Sequence, residues 1–186
     1  MIITEQFLRS VCNKNSNTEI ILKLIDSLNE WFPIYEMDRK IRACYFLAQC
    51  AHETGGFLWF KELGGKEYCS KYEPETAIGK SLGNIKVGDG YKYKGRGMLQ
   101  ISGRYNYDFY GKLTNKNLID FPDLLLDIDT STHVACEFWK KHRLNQYSDS
   151  NDFIGVTKRI NGGFNGLKNR ENFLSILLKS WDREIF

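Results

Sequence analysis

Apolar positions recur along most of the chain with the three-to-four-residue spacing of helices that pack on a core. Thr4 or Glu5 opens a first helix that runs to about Cys12. Asn17-Thr18-Glu19 begins a second, with Ile20, Ile21, Leu24, Ile25 and Leu28 as its apolar stripe, and Pro33 ends it or sits just beyond its end. Asp38 suits the N-cap of a third helix, in which Ile41, Cys44, Tyr45, Leu47, Ala48 and Ala51 repeat with helical period. That helix delivers His52 and Glu53 at its C-terminal end. The period then breaks: Gly64-Gly65, Pro74, Gly79, Gly83-Asn84, Gly88-Asp89-Gly90 and Gly95-Arg96-Gly97 crowd residues 64–98. Such a density of turn residues predicts irregular structure or a short hairpin, forming one wall of a cleft. Helical spacing resumes over 102–110, 131–143, 151–160 and 168–181, with Pro122 separating the first two. The last of these has an apolar side of Phe173, Leu174, Leu177, Leu178 and Trp181. The fold class expected is mainly α, with a small hairpin at most.

A length of 186 residues supports one substantial core, so residues 1–186 are expected to form a single domain with a glycine-rich insertion at about 64–98. At 42% apolar the composition is that of a globular chain, and 14% aromatics leave some rings free to line a groove. The formal charge of +3 is too mild to imply nucleic-acid binding, although a basic face suits an anionic polymer such as a cell wall. Met1 to Phe7 offers no basic n-region followed by a long apolar core, which predicts synthesis in the cytoplasm without a secretory leader. No stretch is long enough to insert stably in a membrane. Cys12, Cys44, Cys50, Cys69 and Cys136 are odd in number and lack metal-ligand spacing, so reduced thiols are expected, those of Cys44 and Cys50 buried. His52, His133 and His142 have no zinc-hydrolase spacing, and neither a nucleophile elbow nor a phosphate loop is present. No metal and no cofactor are expected.

Candidate chemistry concentrates in Ala51-His52-Glu53-Thr54-Gly55-Gly56-Phe57, followed nine positions after Glu53 by Glu62 in the aromatic setting Trp59-Phe60-Lys61-Glu62. Two acids on either side of a tight turn suit glycoside hydrolysis, in which one protonates the leaving oxygen and the other activates water. The helix-end field and partial burial at Glu53 favour the protonated acid that a leaving-group donor needs. A capping or salt-bridging role with Lys61 or Lys66 is the equal alternative on spacing alone. Glu73 and Glu75, flanking Pro74, compete with Glu62 for the second carboxylate. In the run from Tyr91 to Ser102, Arg96 can fix a carboxylate through its planar fork, and Gln100 and Ser102 share a face of an extended segment, where they can bind a sugar or hold a water. Tyr93, Tyr105 and Tyr107 stack on sugars or fill the core, with Tyr107 and Phe109 assigned to the core. Asn161-Gly162-Gly163 reads first as a helix stop.

Three runs carry a resemblance. Phe46-Leu47-Ala48-Gln49-Cys50-Ala51-His52-Glu53-Thr54-Gly55-Gly56-Phe57 resembles the first signature of family 19 glycoside hydrolases, the run from Tyr93 to Tyr107 the second, and Arg159-Ile160-Asn161-Gly162-Gly163-Phe164-Asn165-Gly166 the third, in the family's order. The resemblance implies a two-lobed, lysozyme-like helical catalytic domain that hydrolyses β-1,4 bonds between N-acetylated sugars with inversion. It implies Glu53 as general acid, Glu62 as general base and Ser102 as the residue that helps position the attacking water. It assigns substrate contacts to Gln100, Tyr105, Asn106 and Asn161, and gives Arg96 the orientation of a catalytic carboxylate. Glu73 is the alternative base, through a Tyr68-Cys69-Ser70-Lys71 stretch similar to plant members. The segment through Tyr72-Glu73, Leu82-Gly83-Asn84 and Gly88-Asp89-Gly90 resembles phage-type endolysins more than plant chitinases. Peptidoglycan glycan strands, cut between N-acetylmuramic acid and N-acetylglucosamine, are therefore the expected partner of a monomeric enzyme that reaches the bacterial wall after release. A chitinase using the same residues, a one-acid lytic transglycosylase and a non-catalytic wall-binding module are the alternatives.

Overall fold

The computed structural model describes residues 3–184; Met1 and Ile2, part of the stretch read for a leader, lie outside them. Helix α1 (Glu5–Arg9) is capped by Thr4, whose hydroxyl accepts from Phe7 N at 3.1 Å. Helix α2 (Thr18–Ile34) is capped by Asn17, which accepts from the amides of Glu19 and Ile20. Pro33 lies inside the last turn of α2 rather than beyond it, and the closing bond from Tyr35 N to Trp31 O passes the proline by. Helix α3 (Lys40–Glu53) starts at Arg39 without a side-chain cap, so the N-cap expected at Asp38 is not formed. Every residue from 42 to 51 is buried. A helix covered on all sides is the central strut of a bundle.

The other helices lie around it. Helix α11 (Leu167–Glu184) packs along α3, and α1 crosses both α2 and α11. Helix α8 (Ile128–Lys141) packs on α2, while α9 (Leu144–Asp149) and α10 (Phe153–Asn161) close the other side of α3. At six residues α9 is too short for a helical period to register in the sequence. Helix α7 (Arg104–Leu113) begins two residues later than the predicted 102–110 helix, after Gly103. The architecture is mainly α, as the periodicity predicts. Among the described residues β structure is limited to the antiparallel bridges Lys61–Arg96 and Arg96–Ile101, and no helix is long and apolar enough to cross a membrane. All five cysteines are unpaired; burial pushes the Cys12 thiol up to about 11 and that of Cys44 up to about 12.

The glycine-rich segment is more ordered than irregular. It contains α4 (Lys66–Cys69), a 3-10 turn (Ser70–Tyr72), α5 (Ala77–Ser81) and α6 (Asp89–Lys92). Turn residues cut these helices to about one turn each, too short for a period to register. Polar side chains tie them together. Asn84 donates to Tyr72 O at 2.7 Å and accepts from Arg104 N at 2.8 Å. Arg104 grips both oxygens of Asp89 at 2.7 Å, and Asp89 also accepts from the amides of Ile85 and Lys86.

The turn after α3 sets where this wall leaves the bundle. Thr54 Oγ1 accepts from Phe57 N at 2.8 Å, and Gly56 N donates to Ala51 O at 2.7 Å. Gly55, Gly56 and Phe57 follow one another with φ of +61°, +75° and +59°. Gly56 is doubly constrained, because a Cβ there would also lie 2.6 Å from Asn13 N. Gly56→Ala should therefore lower unfolding free energy by about 2–3 kcal/mol, read from the urea midpoint; an unchanged midpoint would contradict this account of the turn.

Asp89 supplies a second expectation. Burial alone would raise its carboxyl, but the Arg104 fork and the two loop amides outweigh it and hold the group below the usual carboxylate range. With the folded value depressed, the unfolded chain binds the proton more readily, so the stabilisation is complete well above about pH 4 and is lost as pH falls through the folded value. Asp89→Asn should lower stability at pH 7 and make its decline below about pH 4 shallower, measured by thermal melts across pH.

Candidate active site

Glu53 is the last residue of α3, and its side chain is 18% exposed. Arg170 reaches it from α11 and is itself fully buried. The guanidinium donates to Glu53 Oε1 through Nη2 and to Gln49 Oε1 through Nη1, and its Nε faces Asn165 O at 3.4 Å. Gln49 and Glu53 are four residues apart, so they share a face of α3 and meet the same arginine. Gln49 passes the network on, donating to Thr157 Oγ1 of α10 at 2.9 Å. The cation also counters the partial negative charge of the helix end at which Glu53 sits.

His52 seats the loop before α11 against this end of α3. Its ring lies so close to Gly166 that a Cβ there would come within 2.2 Å, and Nδ1 is 2.7 Å from Asn169 Oδ1. The third sequence motif is thereby brought beside the first. Asn161 ends α10 and is exposed, with Gly162 as the left-handed cap at φ +76°, so the helix-stop reading describes the local structure.

The second carboxylate is placed by backbone register. Glu62 N donates to Gly95 O at 2.9 Å and Gly97 N to Phe60 O at 2.8 Å, flanking the Lys61–Arg96 bridge; Arg96 and Ile101 exchange both of their hydrogen bonds. In this antiparallel register Glu62, Gly95 and Ser102 fall in one cross-strand row. Alternation along each extended segment puts Glu62 and Ser102 on one face and Lys61, Arg96 and Ile101 on the other. Gly95 sits between acid and hydroxyl. A Cβ there would stand 2.8 Å from Gln100 Oε1 and 3.4 Å from Glu62, so glycine is what lets the Gln100 amide and the Glu62 carboxylate both lie against the backbone at this point.

Glu62 is held at both oxygens. Tyr72 donates to Oε1 at 3.0 Å and Gly95 N to Oε2 at 2.9 Å. Burial first, then the neighbouring carboxylate, push the Tyr72 phenol up to about 12, so it stays a neutral donor. Ser102 Oγ is 3.0 Å from Gln100 O, and Asn106 donates to Ser102 O at 2.8 Å. Gln100 itself is bonded to Gly97 O at 3.1 Å. Tyr105 is exposed and stacks on Phe109 with ring centroids 6.0 Å apart, whereas Tyr93 and Tyr107 are buried in the core. Among the described residues no group of three or more His, Cys, Asp or Glu side chains is arranged to hold a metal ion.

Two sequence expectations change. Arg96 does not orient a catalytic carboxylate and is not available to a ligand. Register turns it to the face opposite Glu62, where it is 5% exposed and bonds to Asp123 Oδ1 at 2.7 Å, Tyr107 OH at 2.9 Å and Lys92 O at 2.9 Å. Of the competing acids, Glu73 accepts from Gly88 N at 2.7 Å within the wall, and Glu75 is exposed. Neither stands in the row with Ser102. The arginine that does hold a candidate acid, Arg170, was missed together with Gln49 and Tyr72. A signal was present: Arg170 falls on the apolar stripe of Phe173, Leu174 and Leu177, and Gln49 interrupts an apolar run. A polar residue on a buried face marks a partner.

The family model described as chitinase class I matches residues 35–164. A bacterial relative from Haemophilus influenzae, a glycosyl hydrolase family 19 domain-containing protein, is 36% identical over an alignment 155 positions long that covers 70% of this chain and 76% of that protein. An endochitinase of Arabidopsis thaliana is 35% identical over 126 residues, 67% of this chain but only 40% of the plant protein's length. In fold, the chain is similar to chitinase C from Streptomyces griseus, with a TM-score of 0.73 at 20% identity, covering 97% of this chain and 92% of that one. A class IV chitinase from Zea mays gives a TM-score of 0.72 at the same identity and coverage. On the family model and the bacterial relative together, the chain belongs to glycoside hydrolase family 19.

Proposed function

We propose that this chain cleaves β-1,4 bonds of an N-acetylated glycan by inverting hydrolysis, with Glu53 as general acid and Glu62 as general base. The observation that carries the reading is the cross-strand row that sets Glu62 and Ser102 on one face, on either side of Gly95. A water held there by the Ser102 hydroxyl can pass its proton to Glu62, whose two oxygens are already fixed by Tyr72 and Gly95. Glu53 donates its proton to the departing glycosidic oxygen, and the negative charge it then carries faces Arg170. Gln100, Tyr105, Asn106 and Asn161 are the residues assigned to hold the sugars. Residues 1–186 act on this reading as one catalytic unit, monomeric and without a metal or cofactor.

The proposed substrate is peptidoglycan, cut between N-acetylmuramic acid and N-acetylglucosamine by an endolysin-type enzyme that is made in a host cytoplasm and acts on the wall after release. Support comes from the resemblance of residues 72–90 to endolysin-type sequences, a segment whose Asn84 and Asp89 brace the wall that carries Glu62. The endochitinases among the relatives favour chitin as a second reading.

Mass spectrometry of borohydride-reduced digests separates the two. Muropeptides ending in reduced N-acetylmuramic acid are expected; products from chitin oligosaccharides alone would move the assignment to chitinase. Glu53→Gln and Glu62→Gln should each lower kcat by about 10²–10⁴-fold with melting temperature nearly unchanged. Near-wild-type turnover by the Glu62 variant would indicate a one-acid transglycosylase instead. Arg170 acts through Glu53 as a positioning residue. Arg170→Met should lower kcat by at least about tenfold at little change in KM and destabilise by about 2–3 kcal/mol, with Arg170→Lys recovering part of kcat; equal kcat in both would make Arg170 purely structural.

A further inference from the structure

Where α8 ends, α9 and α10 border a pocket of about 360 Å³ lined by Lys141, His142, Arg143, Gln146, Tyr147 and Arg159. Its charge is all of one sign. No acid lines it, and no ion pair among the described residues engages Lys141, Arg143 or Arg159. The acids that follow in the chain are committed elsewhere. Asp149 accepts from Arg42 at 2.7 Å, and Asp152 caps α10, accepting from Gly155 N at 2.7 Å. Helix ends attract cations, but each carries only about half an elementary negative charge, so the ends of α8 and α10 leave most of three full cations uncompensated. His142 registers the excess: burial first, then Lys141 and Arg159, hold its imidazole below the usual histidine range.

The cations are also set in place. Arg159 donates through Nε to Tyr147 OH at 3.1 Å and lies over the same ring, which leaves the outer edge of its fork without an acid. Arg143 follows α8 at φ +53°, a left-handed position that glycine fills without strain and that here carries a guanidinium. Planar forks of this kind match carboxylates. Two links join the pocket to the residues assigned to hold the sugars. Lys141 lies 3.7 Å from the centroid of the Phe109 ring and 5.5 Å from that of Tyr105. Arg159 stands two residues before Asn161 on α10. A glycan seated on Tyr105 and Asn161 would carry its substituents towards these cations. Chitin is neutral and has nothing to pair with them, whereas the lactyl-linked peptide stems of peptidoglycan bear carboxylates.

We infer that the pocket of Arg143 and Arg159, with Lys141, receives the stem carboxylates and so selects an acidic, peptide-bearing glycan over a neutral one. The inference rests on the proposal that peptidoglycan is the substrate and names what reads it.

Binding of the Glu53→Gln chain, which keeps the polymer intact, tests it. The probes are sacculi stripped of phosphodiester polymers by hydrofluoric acid, and the same sacculi with their carboxyls capped as methylamides. The chain should bind the uncapped form at least about tenfold more tightly, and raised salt should remove most of the difference. Arg143→Gln with Arg159→Gln should erase that preference, and Arg143→Lys with Arg159→Lys should recover part of it. Lys80→Gln with Lys86→Gln, which removes two charges from the wall instead, should leave the preference intact. Equal binding to capped and uncapped sacculi, an unaltered preference in the double glutamine variant of the pocket, or the same loss in the wall variant would overturn the inference. Binding that vanishes once phosphodiesters are stripped would reassign the pocket to a phosphate and overturn it equally. The comparison does not depend on turnover. If the chain with Glu53 intact releases no reducing ends from either form, the assigned reaction fails, and the binding ratio still decides on the pocket.

Discussion

The Arg170 guanidinium has no access to water, and a cation in that position is tolerated only when its donors are met. They are met by Glu53 and Gln49 of α3 and by the carbonyl of Asn165 in the loop before α11. Two helices and a loop are therefore joined by a charge rather than by apolar contact alone. A neutral hydrogen bond contributes about 1 kcal/mol net, whereas an unpaired buried charge costs several. The packing of α11 on α3 and the position of the acid are consequently one arrangement. Thr157 extends the same network to α10, so the bundle on this side is registered by polar atoms inside it.

The wall is organised differently. Its elements are about one turn long and bury little apolar surface, and their places are set by Asn84, Asp89, Arg104 and Arg96, each bonded to backbone or to a fixed partner. Where Arg170 confers orientation on Glu53, the backbone ladder confers it on Glu62. The turn with three successive left-handed residues joins the two systems. Glu53 and Glu62, the acid and base of the proposed mechanism, thus belong to separately stabilised parts of the molecule.

Most of the helices could be read in the sequence because burial on one face imposes a period, and the fold class followed from them. Asp38 failed as a cap because cap geometry is decided by a backbone bend that composition does not encode, and α9 was hidden by its shortness. At the candidate site, spacing and family resemblance single out Glu53, Glu62 and Ser102, and the structure places Glu62 and Ser102 in one cross-strand row. The place of Arg96 was not legible, because side-chain direction depends on strand register: its neighbour Gly95 faces the acid while Arg96 faces away. Arg170 lies 117 residues from Glu53, so its place on an apolar stripe marks a buried polar partner without saying which residue that partner is.

The pairing of Glu62 with Gly95 has a consequence for how such a chain can vary. It clamps the two ends of everything from residue 63 to residue 94, so that segment is a closed loop whose length does not enter the geometry of the row. Lengthening a flexible loop costs only about 0.6 kcal/mol per doubling. One residue added between Gly97 and Gln100, in contrast, would slip the register and turn Ser102 to the opposite face. Insertions and deletions are therefore tolerable on one side of the clamp and ruinous on the other, which leaves the outer rim of the wall free to diversify while Glu62 and Ser102 stay in one row.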